Sequence, residues 1–152
     1  MFSRKQKYFF FKLFSLFSIV RGYNILIIII AQYLTSIYIL APQLSIKEIL
    51  FDLNLFMIVL ASTTAIASGY IINNFYDSEK DLINRPNKSI LDRLVGRRTK
   101  LNFYFILNFL SLVSALFVSY KAALFFFLFI FGIWFYSHTL NTYPFIGNLV
   151  AA

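Results

Sequence analysis

Residues 53–81 read LNLFMIVLASTTAIASGYIINNFYDSEKD. The first 24 of them, Leu53–Tyr76, hold no Asp, Glu, Lys or Arg, which is long enough to cross a bilayer as a helix. Lipid offers no hydrogen bonds to an open backbone, so a crossing segment of this length must be helical. The apolar run ends on three carboxylates within five residues, Asp77, Glu79 and Asp81. An apolar span that runs straight into an acidic turn decides both the fold class and the place to look for chemistry.

Three more runs lack charge: Gly22–Ile46, Leu101–Tyr120 and Ala122–Ala152. Spans are expected near Tyr23–Leu40, Leu53–Asn74, Leu101–Ser119 and Ala122–Ser137. The last run is too long for one span; Pro144 breaks it, and Phe145–Ala152 reads as the opening of a fifth helix. The composition agrees. Of 152 residues 60% are hydrophobic and 13% charged, with 20 Phe and 10 Tyr, and mean hydropathy is +0.75. Soluble domains carry about 25% charged residues, so a soluble enzyme and a disordered tail are excluded. The net charge of +8 is gathered in two segments and is not spread as a nucleic-acid face, so no nucleic-acid partner is expected. With no Cys, thiol catalysis, disulfides and Cys-based zinc sites drop out.

The basic residues orient the chain. Arg4, Lys5, Lys7, Lys12 and Arg21 precede the first span, and Lys80, Arg85, Lys88, Arg93, Arg97, Arg98 and Lys100 lie between the second and third; only Lys47 and Lys121 fall on the other side. The positive-inside rule puts the N-terminus and the 76–100 loop in the cytoplasm, in a multi-pass protein of the cell inner membrane. Residues 1–21 could pass for a secretory signal, but Lys12 interrupts the apolar stretch and no small-residue cleavage site follows. An amphipathic helix lying in the membrane interface fits better.

Asn73, Asp77 and Asp81 are spaced i, i+4, i+8 and drift by only about 80° on a helix, so they share one face. Neighbouring carboxylates about 6 Å apart along the axis can flank a hard cation. Mg²⁺ is typically held by one or two carboxylates together with substrate phosphates, and Arg side chains following the acids suit phosphate. The plain alternative is a solvated acidic face paired with Lys80 or Arg85. Asn73 argues against it, because an amide inside an apolar span is costly unless partnered.

The run Asn73-x-x-x-Asp77-x-x-x-Asp81, followed by Asn84-Arg85-Pro86, resembles the first aspartate-rich motif of the UbiA superfamily of intramembrane prenyltransferases. The family pattern is Asn-Asp-x-x-Asp-x-x-x-Asp, and Asn74 departs from it. Arg21-Gly22-Tyr23-Asn24 is a fainter echo, as is the stretch from Tyr136 to Asn141, where relatives commonly carry Lys near position 141. The resemblance implies an all-α, multi-span transmembrane helical bundle of UbiA type, a single domain over residues 1–152 that stops after four to five of nine helices and so lacks the second aspartate-rich motif. It implies transfer of a prenyl group from a prenyl diphosphate donor to a hydrophobic or glycerophosphate acceptor, with Mg²⁺ as cofactor. Asp77 and Asp81 would be Mg²⁺ ligands, and Asn73 and Arg85 would contact the diphosphate; no catalytic base is assigned. The Asn-Arg-Pro sequence is most similar to the branch acting on geranylgeranylglyceryl phosphate, or on quinone and chlorophyll precursors. The 152-residue chain by itself is expected to be inactive. A transporter fragment or a non-catalytic membrane module is the competing class; a transporter would show ionisable residues in mid-membrane or broken helices.

Among the remaining residues, His138 reads as a polar helix end more than a catalyst, and Trp134, Tyr136 and Tyr143 as an interfacial belt. The Phe-rich fourth span reads as facing lipid or neighbouring helices before it reads as a prenyl channel. Asn102, Asn108 and Ser111 are expected to make interhelical hydrogen bonds.

Overall fold

The computed structural model describes residues 4–84 and 94–139, with side chains throughout from Phe10 to Asp77 and from Leu94 to Thr139. These form α1 (Arg4–Ile19), α2 (Gly22–Thr35), a π-helical continuation of α2 (Ser36–Leu40), α3 (Ile46–Leu50), α4 (Leu53–Asn84), α5 (Arg97–Val118) and α6 (Tyr120–His138). Four stretches are long and apolar enough to cross a membrane: Gly22–Leu40, Leu53–Asp77, Arg97–Val118 and Tyr120–His138. They coincide with the four expected spans to within a few residues. The expected fifth helix at Phe145–Ala152, and Tyr143 with it, lies outside the described residues.

Local signals set the boundaries. Ala41 precedes Pro42, which disfavours helical geometry at the preceding residue, and the wide turn ends there with the Ala41 amide donating to Ser36 O at 3.0 Å. Ser45 then builds a capping box on α3: its Oγ accepts from the Glu48 amide at 3.3 Å and its amide donates to Glu48 Oε2 at 2.8 Å. These bonds hold the Glu48 carboxyl below the usual carboxylate range, the backbone donor contributing most. Asp52 caps α4, its Oδ1 accepting from the Leu55 amide at 2.6 Å. One extended residue, Ser119, separates α5 from α6, and its hydroxyl accepts from the Ala122 amide at 3.0 Å.

The helix α4 is the centre of the bundle. Its apolar window is 56% buried, against 6% for the first span, and its most extensive partner is α5. Between lipid-soaked helices there is no hydrophobic drive to associate, so small residues and hydrogen bonds do the work. Ala61, Ala65, Ser68, Ser111, Ser114 and Ala115 are all buried. Ser111 Oγ donates to the Ala61 carbonyl at 2.8 Å, and Ser68 Oγ meets Asn108 Oδ1 at 2.5 Å. Two of the three residues expected to bond between helices do so. Asn102 lies instead on the exposed face of α5, because six residues before Asn108 a helix has turned well away from the α4 seam.

The Phe-rich helix α6 mostly looks outward: Phe125, Phe127, Phe131 and Phe135 are exposed. The acidic end of the second span also differs in extent from the sequence reading. The helix continues past Asn74 to Asn84, so the opening third of the 76–100 segment is helix and its last turn belongs to α5.

Candidate active site

Asn73 and Asp77 stand on α4 one turn apart, both partly buried, and Asp81 follows one turn further on the same continuous helix. The expected shared face is therefore real at the level of the backbone. The Asp81 side chain and the whole of Arg85 lie outside the described residues. Among the described residues no group of three or more His, Asp or Glu side chains gathers. Two carboxylates on one helical face fit a small, water-retaining cation that completes its oxygen shell from a phosphate, and they do not fit a cation needing an all-protein cage.

At Asn73 the stripe meets a cavity of about 540 Å³, within the usual range of ligand sites of about 300–1,000 Å³. Its lining is mixed: Ile66, Phe129 and Ile133 are apolar, and Arg21, Tyr70, Asn73, Tyr136 and Ser137 are polar. The cavity reaches Gly69, where α4 and α6 come close: a Cβ there would lie 3.0 Å from Ile133 Cγ2. Ser137 is 3% exposed, and among the described residues its Oγ has no hydrogen-bond partner. A buried hydroxyl in that state costs free energy, and the cavity it lines is where a ligand can satisfy it.

Arg21 stands at the mouth. It joins α1 to α2 in the left-handed region, φ 51°, ψ 56°, where non-glycine residues cost roughly 1–2 kcal/mol. Gly is the usual residue at such a helix exit. The guanidinium carbon sits 5.2 Å from the Tyr70 ring centroid, and Asn24 Nδ2 donates to Tyr70 Oη at 3.3 Å. The strained turn thus delivers a cation to the cavity mouth. The sequence reading used Arg21 as one of the orienting basic residues and in a faint echo of the family pattern, and assigned no site role to it, to Tyr70 or to Ser137. One signal was available for Arg21, a basic residue directly before an apolar span; for the others there was none.

His138 stacks on Trp134 with ring centroids 5.3 Å apart and 9° between planes, and lies 5.2 Å from the Tyr76 ring. It closes the end of α6 in an aromatic group beside the cavity. Tyr136, expected in an interfacial belt, lines the cavity instead, because it sits one residue before buried Ser137 on the α4-facing side of α6.

The described residues thus form an all-helical membrane bundle in which the first residue of the acidic stripe, Asn73, lines a cavity of mixed polar and apolar character. The chain belongs to the UbiA prenyltransferase family, which it matches over residues 31–152. It is 35% identical over 98 residues to the digeranylgeranylglyceryl phosphate synthase of Thermococcus gammatolerans, a match covering 64% of this chain and 36% of that one. The synthase of the same name from Pyrococcus horikoshii is 33% identical over 102 residues, 64% of this chain and 35% of the relative. The Sulfurisphaera tokodaii synthase is 24% identical over 136 residues, 90% of this chain and 47% of the relative. A solved structure of a digeranylgeranylglyceryl phosphate synthase superposes with a TM-score of 0.72 at 24% identity, covering 92% of this chain and 48% of that chain. The fold is therefore UbiA-type, and the chain spans about a third to a half of the length of these relatives.

Proposed function

We propose that the protein carrying this chain is a membrane prenyltransferase that moves a prenyl group from a prenyl diphosphate to a hydrophobic acceptor. The shared name of its relatives favours a glycerophosphate lipid as that acceptor. The observation that carries the reading is the junction at Asn73: the first residue of the acidic stripe is also a wall of the apolar cavity.

In this reading Asp77 and Asp81 hold Mg²⁺, and Asn73 and Arg85 contact the diphosphate. When bound, Mg²⁺ supplies neutralisation of the charge that develops on the departing diphosphate. The Asn73 amide donates to a phosphate oxygen from the cavity side, while Arg21 adds positive charge at the mouth. Ile66, Phe129 and Ile133 keep water from the allylic carbon, whose bond to the diphosphate oxygen breaks before the acceptor oxygen attacks and gives up its proton to the departed diphosphate. The test is an assay of the complete protein with labelled prenyl diphosphates against a panel of acceptors, glycerophosphate lipids included. Mg²⁺-dependent transfer is expected; no transfer to any acceptor would overturn the assignment.

The proposal includes orientation: an interfacial α1, and the N-terminus and 76–100 segment in the cytoplasm, from the basic asymmetry of the sequence. The chain has no Cys, so single cysteines report cleanly. In intact cells an impermeant thiol reagent should label Gln43→Cys and spare Ser89→Cys. Labelling at 89 but not at 43 would invert the topology.

A further inference from the structure

Two meetings fix how α4 and α6 lie against each other. Gly69 comes close to Ile133, and further along both helices the Tyr76 ring lies 5.2 Å from that of His138. The order of the two meetings is the same on each helix, so the helices run in the same direction. One turn beyond the first meeting, about 6 Å along, stand Asn73 on α4 and Ser137 on α6, and both line the cavity. Ser137 is thus level with the start of the carboxylate stripe, on the neighbouring helix.

Its hydroxyl is in an unusual state for such a setting. Serine and threonine within helices commonly turn back on a carbonyl three or four residues earlier, and α4 shows it. Thr63 Oγ1 donates to Val59 O at 2.8 Å, Thr64 Oγ1 to Leu60 O at 2.7 Å and Ser68 Oγ to Ala65 O at 2.7 Å. Ser137 makes no such bond, and among the described residues no other wholly buried side-chain nitrogen or oxygen lacks a partner. At 3% exposure bulk water does not supply one. Alanine would pack there without the cost of an unmet bond. Rotation about χ1 carries a serine hydroxyl between staggered positions, so Oγ can turn onto an atom that occupies the cavity.

The rest of the lining defines the chemistry of that atom. Arg21, Tyr70, Asn73 and Tyr136 can each donate, and no carboxylate is among the described residues that line the cavity. Tyr70 Oη already accepts from Asn24 Nδ2 at 3.3 Å, which leaves its own proton to give. A set of donors with one fixed positive charge suits an anionic oxygen, and hydrogen bonds to charged oxygens are the strong ones.

We propose that Ser137 is a substrate-binding residue whose hydroxyl donates to a phosphate oxygen in the cavity, level with Asn73. The proposal rests on the prenyl-transfer reading, and the oxygen belongs either to the donor diphosphate or to the phosphate of a glycerophosphate acceptor. It is tested by calorimetric binding of two ligands to the complete protein in detergent with Mg²⁺: an unreactive prenyl thiodiphosphate and a glycerophosphate lipid. Melting temperatures without ligand are measured alongside. Ser137→Ala should weaken binding of at least one ligand about tenfold while the ligand-free melting temperature stays level or rises. Ser137→Thr, which keeps the hydroxyl, should recover most of the loss. If Ser137→Ala does not fold, Ser137→Cys carries the test as a poor donor of nearly the same size. Weaker binding of the thiodiphosphate assigns the oxygen to the donor and weaker binding of the lipid assigns it to the acceptor; each supports the proposal. Unchanged affinity for both overturns it, and a lower ligand-free melting temperature alongside would show the hydroxyl bonded within the complete protein. If the parent binds neither ligand, the prenyl-transfer reading falls and takes this proposal with it. If the parent binds and the variant binds as tightly, only the Ser137 proposal falls.

Discussion

Asp77→Asn and Asp81→Asn should each lower prenyl transfer by the complete protein about a hundredfold or more, while Glu79→Gln should stay within about threefold of the parent. The reasoning is geometric. Asp77 and Asp81 lie one above the other on one face of α4, which is continuous to Asn84, and are about 6 Å apart along its axis. Glu79 sits two residues from each, on the opposite side of that helix. Replacing a carboxylate by an amide keeps the size and removes the charge that holds a hard cation. Raised Mg²⁺ should therefore restore part of the lost activity, provided the other ligand remains. If the acids were merely a solvated face, all three substitutions would cost little and cost the same, because exposed charges contribute about 1 kcal/mol or less. Three variants assayed side by side decide it, and equal effects would sink the metal assignment.

The second large effect is expected at Arg21, and its value lies in separating activity from stability. Arg21→Gly removes the left-handed strain of a non-glycine residue, worth roughly 1–2 kcal/mol. It also removes the contact of the guanidinium with the Tyr70 ring, 5.2 Å away, worth about 0.5–1 kcal/mol where water still reaches the cation. The melting temperature should accordingly stay level or rise. Prenyl transfer should fall about tenfold to a hundredfold, since the cavity loses a charge-assisted donor at its mouth. Arg21→Lys should lie between, retaining charge but not the planar fork. A variant that melts lower and keeps its activity would show that Arg21 only joins α1 to α2. Strained residues often mark functional positions because the fold retains them against their own conformational preference.

Much of this molecule is legible along the chain because its governing physics is local. Hydropathy over about 20 residues is a property of contiguous sequence, so four spans could be placed to within a few residues. The acidic stripe is legible for the same reason: positions 73, 77 and 81 need only a helix to share a face, and α4 supplies one. The bonding of Asn108 and Ser111 across the α4–α5 seam was also foreseeable, since a polar side chain in an apolar helix has few places to go. Asn102 shows where that argument stops. It has the same chemistry as Asn108, but it lies on the exposed face of α5, and sequence alone does not reveal how a helix is rotated about its axis.

Rotation and packing decided the rest. Arg21, Tyr70 and Ser137 meet at one cavity although they come from three different elements, and no spacing rule connects them. Lys100 reads as one more residue of a basic segment until α5 packs on α4 and places its ammonium 2.7 Å from Asn74, 26 residues earlier in the chain. The close approach that makes this possible comes from Ala61, Ala65, Ser68, Ser111 and Ala115, whose small side chains let two backbones come near. Charge, hydropathy and helical period are written residue by residue, and they determined the membrane spans and the stripe. Which polar groups face one another depends on how helices far apart in the chain are turned and seated together, and only the tertiary structure determined that.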